Sequence, residues 1–335
     1  MEQSKRIPYI SMLQVVGPLF VVLGHSLNGL SNNGWWYVFS KKWIYIFHMP
    51  LFFLISGYLL AFKGYLGEKK YGQFVVGKFK RLMIPYLFWN LLFWVPKFLA
   101  QDFIADDATL NIVNALKAFI FPRQNVWGHT WFLMGLFVVY LLTPFFQNIL
   151  GRKKLWINVS AIAACVILYT LPIGTEFLAF SDLHKDLLFF VIGCLLGQCD
   201  VEQFKSIMKK YKIWFILGAI VFSVLSLIWF DITKSLHFIP CMFILFAFIS
   251  VFVSIETLPN FWEKLASFSF SIYIMHWPFM LAVRIFFHQL LKVSEPMTII
   301  LMIVVGYILP IIVVSILRLL PFKKIRKTLN YLLGV

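Results

Sequence analysis

The chain has 335 residues, of which 61% are hydrophobic, 19% aromatic and 13% charged, with a formal net charge of +16. So apolar a composition excludes a soluble globular domain, in which charged residues alone make up about a quarter. The cationic excess does not signify nucleic-acid binding, because the lysines and arginines fall in short joints between apolar runs rather than on one polar face.

A hydrocarbon core of about 30 Å demands about 20 apolar residues of a helix. Such runs recur from end to end. Ten spans are predicted, near residues 9–29, 44–62, 82–100, 129–149, 155–173, 186–200, 213–231, 237–256, 268–289 and 298–320. The fold class is therefore an all-α integral membrane protein, a bundle of about ten transmembrane helices forming a single domain over residues 1–335. The first span, read from Met12 to Leu30, carries His25 at the end of the run LFVVLGHS. An imidazole inside a span is costly and tends to face a cavity or a partner, which makes His25 the leading functional candidate. No small-residue cleavage site follows at Leu30 to Trp36, so this segment reads as a retained span.

Lys and Arg near span ends stay on the cytoplasmic side. With the N-terminus inside, the cytoplasmic joints hold 21 of the 30 cations: Lys5 and Arg6, the stretch Lys63 to Arg81, Arg152 to Lys154, Lys205 to Lys212, Lys264, and Arg318 to Lys327. The opposite face holds the other nine and eight of the 14 acids, Asp102, Asp106 and Asp107 among them. An even number of spans then returns the C-terminus to the cytoplasm.

The most basic joint ends in KFKRLMIPYLFW. Most of its lysines read as positive-inside residues with snorkelling side chains. Arg81 stands apart, at the start of a span with Pro85 and Pro96, where distorted backbone lines protein or a water-filled cavity. A planar guanidinium there suits a phosphate from the cytosol.

Seven histidines are present, and four on different spans, His25, His48, His129 and His276, are candidates to converge on one cavity. No HxxxH or HExxH spacing puts two ligands on one helix face, so no metal site is expected. The patterns HxxxxD and G-x-S-x-G are absent, as is any phosphate-cradling glycine loop. Cys165, Cys194, Cys199 and Cys241 fall in predicted spans without CxxC spacing and read as packing residues.

Five stretches then point to a family. Ile44 to Leu60, IYIFHMPLFFLISGYLL, resembles the second-span signature of the integral-membrane acyltransferase 3 family, in its branch related to fucose O-acetylases. VVLGHS ending the first span, KRLMIPYLFW opening the third, TWFLMGLFVVYLLTP in the fourth and SFSIYIMHWP in the ninth agree in order and spacing. The resemblance implies a ten-helix enzyme of a bacterial cytoplasmic membrane. Its acyl donor would be cytoplasmic acyl-CoA, usually acetyl-CoA, and its acceptor a hydroxyl of a carbohydrate or lipid-linked glycan. The family histidine falls on His25 and the family arginine on Arg81. One departure stands out: the family usually has an arginine eleven residues before that histidine, and here the position is Gln14. Eleven residues are almost three whole turns, so Gln14 and His25 share a helix face about 16 Å apart.

Acyl transfer needs a base, because a sugar hydroxyl holds its proton at neutral pH, and imidazole is the side chain best poised to take it. His25 is that base, or alternatively a transient acyl carrier. Gln14, His48, Tyr58, Asn90, His129, Trp131 and His276 are candidate substrate or oxyanion contacts. Arg81, Lys80 and Lys78 are candidates for the phosphates of coenzyme A. Two other readings stay open at this level, a flippase or exporter of a lipid-linked or polymeric glycan and a non-catalytic paralogue. No repeat relates the two halves of the chain, as many transporters would show.

Overall fold

The computed structural model describes residues 7–28, 34–99, 112–125, 128–319, 321, 329 and 331–333. Lys5, Arg6, Leu30, Asp102, Asp106, Asp107, Lys323, Lys324, Arg326 and Lys327, on which part of the span and charge reading rests, lie outside them. Every regular element among the described residues is helical. In chain order these are α1 (Pro8–Ser26), α2 (Trp35–Phe62), α3 (Tyr71–Lys78), α4 (Ile84–Leu99), α5 (Ile112–Ile120), α6 (Trp131–Leu141), α7 (Thr143–Leu150) and α8 (Leu155–Thr170). They continue with α9 (Phe180–Leu196), α10 (Val201–Lys210), α11 (Lys212–Ile228), α12 (Phe238–Phe252), α13 (Asn260–Ala266), α14 (Ser269–Val283) and α15 (Glu295–Leu319).

Each predicted span overlaps one of these helices, and the fourth overlaps two. Among the described residues, five helical stretches are long and apolar enough to cross a membrane: Pro8–Ser26, Trp35–Phe62, Lys234–Phe252, Ser269–Leu290 and Glu295–Leu319. Two bent pairs raise the number to seven, and α8 and α11 are shorter apolar helices. The molecule is a multi-pass helical membrane protein.

Several elements differ from the sequence reading for identifiable reasons. α1 begins at Pro8 rather than Met12, because proline at the first helical position has no N–H to waste, and it ends at Ser26. The fourth span is bent by 54° between α6 and α7, where Pro144 cannot donate into the ladder. The basic joint is itself partly helical: α3 runs into α4 through a π-turn over Phe79–Met83, closed by the N–H of Ile84 on the carbonyl of Phe79. The wider turn immediately precedes Pro85, which has no proton to give the carbonyl of Arg81. α10 is an amphipathic helix that buries Phe204 and Met208, is capped by Asp200 on the N–H of Gln203 at 2.9 Å, and ends in Lys209 and Lys210. Cys199 lies beyond the end of α9 and is exposed, while the other three cysteines are buried.

The chain forms two compact units, one of Met1–Ser56 with Gln198–Pro321, the other of Gly57–Gly197 with Phe322–Gly334. In the first, α1 packs against α12, α13, α14 and α15. Gly24 lets α1 approach α2: a Cβ there would lie 3.1 Å from Ile44 and 3.3 Å from Tyr45. Phe20, Phe47 and Phe248 meet with ring centroids 4.8 to 5.6 Å apart, and Trp43 beside them donates to the hydroxyl of Ser223 at 3.1 Å. The hydroxyl of Tyr307 donates to the carbonyl of Val15 at 2.9 Å, tying α15 to α1. In the second unit, α2 and α9 touch backbone to backbone, since a Cβ on Gly57 would collide with the carbonyl of Phe190 and one on Gly197 with that of Tyr58. Small residues at helix contacts are how apolar helices gain packing in a solvent as apolar as themselves.

Candidate active site

His25 occupies the last turn of α1, which the N–H of Asn28 closes on the carbonyl of His25 at 3.0 Å. Its ring is half-buried. Nδ1 of His25 lies 3.0 Å from Nε2 of His276 on α14, a residue 251 positions away and wholly sealed from solvent. Nδ1 of His276 in turn sits 2.6 Å from the carbonyl oxygen of Tyr273 and 3.1 Å from that of Ile272, the preceding turn of its own helix. The indole of Trp277 stands edge-on to His25, with centroids 5.5 Å apart and planes at 88°. One imidazole is thus anchored in the core and the other held at its margin.

Around this pair lies a polar cluster at the same end of α1. The side-chain amide of Asn28 donates to the hydroxyl of Tyr45 at 2.7 Å, and Arg284 donates to the carbonyl of Asn28 at 3.4 Å. The ring of Tyr45 is 4.8 Å from that of His48, which is buried and bonds through Nδ1 to the carbonyl of Ile44 at 2.9 Å. Carbonyls only accept, so His48 is protonated on Nδ1. His25 and His276 thus meet directly, while His48 is linked to that end of α1 through Tyr45 and Asn28. Gln14 is half-buried on α1, three turns toward the N-terminus.

The other predicted residues belong to the second unit. Lys78 is half-buried with Nζ 3.6 Å from the ring centroid of Tyr140 and 5.2 Å from that of Phe74, so two π faces already hold its charge. Lys80 and Arg81 are exposed on the π-turn. Tyr58 is buried and stacked on Phe62. Asn90 uses its amide donors within the protein, on the carbonyl of Tyr86 at 2.7 Å and the hydroxyl of Thr130 at 3.0 Å. It joins α4 to the turn before α6. His129 is half-buried in that turn. Trp131 opens α6, buried, with the guanidinium of Arg123 4.7 Å from its centroid.

Four members of the histidine cluster escaped the sequence reading: Asn28, Tyr45, Trp277 and Arg284. Arg284 was the most discoverable, as a cation inside the apolar run LAVRIFFHQL. Asn28 and Tyr45 carry no signal, because nothing local announces that α1 ends against α2. Among the described residues no three His, Cys, Asp or Glu side chains are grouped to hold a metal ion.

A family model described as an acyltransferase domain, that of the acyltransferase 3 family, matches residues 7–317. The chain belongs to this family of membrane acyltransferases, and the match takes in His25, Arg81 and His276 and runs through both units. It is similar to nodulation protein NolL of Sinorhizobium fredii, 31% identical over 196 residues that make up 57% of this chain and 49% of that protein. It is also similar to nodulation protein NolL of Mesorhizobium japonicum, 30% identical over 201 residues, 59% of this chain and 49% of that protein. The chain spans about half the length of the curated relatives it matches. No solved structure matches.

Proposed function

We propose that this protein is an O-acyltransferase of a bacterial cytoplasmic membrane that moves an acetyl group from cytoplasmic acetyl-CoA to a hydroxyl of a carbohydrate or lipid-linked glycan. His25 is its general base. The observation that carries the reading is the contrast within the histidine pair: His276 is sealed in the core, whereas His25, half-exposed at a helix end, is the imidazole that a substrate can reach. Its place in the family's first-span motif supports the same role, and membership of the acyltransferase 3 family supports acyl transfer.

In this reading the whole chain is one catalytic domain of ten spans with both termini cytoplasmic. Arg81 and Lys80, exposed on their π-turn, meet the phosphates of the donor by charge-assisted contacts. Nε2 of His25 takes the hydroxyl proton as the sugar oxygen attacks the thioester carbon. The tetrahedral intermediate then collapses with cleavage of the C–S bond, and the thiolate takes the proton back from Nε2.

Removing a general base costs about 10²- to 10⁴-fold in rate. His25→Ala and His25→Gln should reach the membrane at wild-type levels and leave surface glycan without its O-linked acyl groups, as read by compositional analysis. Near-normal acylation by either variant would remove His25 from the chemistry. Loss of unmodified glycan from the surface as well would favour an exporter.

A further inference from the structure

A neutral imidazole has one N–H and one lone pair, so fixing the proton on one nitrogen fixes the lone pair on the other. Nδ1 of His276 faces two carbonyl oxygens, of Tyr273 at 2.6 Å and of Ile272 at 3.1 Å, and oxygens of that kind only accept. That nitrogen therefore carries the proton, and the lone pair of His276 is on Nε2. Nε2 points at Nδ1 of His25 at 3.0 Å, where a second lone pair would be repelled. Nδ1 of His25 is then the donor, and its own lone pair is on Nε2.

We infer that His276 is the positioning residue of the base, one that selects the Nδ1–H tautomer of His25 and so turns a basic Nε2 toward the substrate. The inference rests on the proposed role of His25 and adds to it the identity of the group that orients the ring. His276 does no proton chemistry itself. When Nε2 of His25 takes the hydroxyl proton, the resulting cation keeps its bond from Nδ1 to the lone pair of His276. When the thiolate recovers that proton the pair returns to its starting state, with His276 neutral throughout.

Two features make His276 suited to the task. Its anchors are the carbonyls three and four residues back on its own helix, so the ring needs no third element to hold it. It is also fully buried, so water does not compete for its lone pair. A histidine satisfied only by its own helix would be a packing residue. Here the second nitrogen is spent on His25, and that is the part a packing role leaves unexplained.

The test uses the full-length protein in lipid nanodiscs, as wild type, His276→Leu, His276→Gln and His25→Ala. Nitrogen-15 NMR of labelled histidines, with the His25 signals assigned by their loss in His25→Ala, should find wild-type His25 protonated on Nδ1 and unprotonated on Nε2. In His276→Leu the Nε2–H form should appear, and kcat should fall by about 10²-fold, the usual effect of a misplaced reacting group, with KM for acetyl-CoA nearly unchanged. His276→Gln, whose side-chain oxygen can accept from Nδ1–H, should recover most of that loss. Wild-type His25 resting in the Nε2–H form, or a tautomer and kcat untouched by His276→Leu, would overturn the inference. Should the leucine variant not fold, the wild-type spectrum and the glutamine variant decide alone. Full activity in His25→Ala sinks the reading of the base instead, so the two failures are told apart.

Discussion

The α-carbon of Gly57 faces the carbonyl oxygen of Phe190 so closely that no side chain fits between them, and Gly197 repeats the arrangement against Tyr58 four residues before α2 ends. Adding one methyl there forces backbone, not a flexible side chain, to move, and overpacking of this kind costs about 1–3 kcal/mol. Gly57→Ala and Gly197→Ala should each lower the yield of folded protein and the midpoint of thermal unfolding in detergent. Gly77→Ala is the matched control. It sits in a short helix with nothing within 4 Å of the place a methyl would take, and should raise stability by up to about 1 kcal/mol through helix propensity.

Arg81 and Lys78 should separate, although both stand in the same basic stretch. Arg81→Ala should weaken acetyl-CoA binding to the purified protein by about 1.5–3 kcal/mol, the worth of one charge-assisted contact. Lys78→Met should leave that affinity close to wild type, because its ammonium is held over Tyr140 and Phe74. Equal losses in both variants, measured by calorimetric titration, would show that the aromatic pair does not withhold Lys78 from the donor.

Arg123 grips Asp182 through two bonds, Nε to Oδ2 at 2.8 Å and Nη2 to Oδ1, while its guanidinium covers Trp131. A lysine cannot reproduce a planar fork that also stacks. Arg123→Lys should therefore behave nearly like Arg123→Ala in thermal unfolding. Because both partners are partly exposed, the coupling energy in a double-mutant cycle with Asp182→Asn should stay at or below about 1 kcal/mol. A lysine variant as stable as wild type would assign the interaction to charge alone.

The charge asymmetry of the joints predicts the orientation directly. A reporter fused after Val335 and another in the Lys63 to Arg81 joint should both report a cytoplasmic position. Activity of either on the outer side would reverse the orientation and with it the side from which the donor arrives.

The helices were legible because apolar runs announce themselves locally, and each of the ten runs overlaps a helix, but among the described residues only five to seven stretches are long and apolar enough to cross a membrane. What was illegible is what depends on partners or on ladder geometry. The break after Leu141 was written in Pro144, yet the apolar run flows across it. α10 carries its own signals, an aspartate cap and apolar residues at 204 and 208, but its low hydropathy hid it among joints. His25 and His276 were named with His48 and His129 as candidates to converge on one cavity, without any sign of which would meet. That the two rings meet at 3.0 Å depends on how two helices pack, and no spacing within either sequence segment encodes it. Likewise nothing in KFKRLM announces that Tyr140 will cover Lys78.

The π-turn at Phe79–Met83 has an implication for how this stretch tolerates change in length. A π-turn holds one residue more than the α-turn it replaces, and each residue of a helix is worth about 100° of rotation. Deleting a single residue there can restore ordinary α geometry without breaking the helix. Because the wide turn already absorbs that residue, the deletion would leave Lys78 and the rest of α3 close to their present angle about the axis of α4, whereas the same deletion in an ordinary α-helix would swing them by about 100°. In this segment a one-residue gap at Phe79, Leu82 or Met83 is absorbed where it falls, and the cations of α3 would keep both their number and their direction.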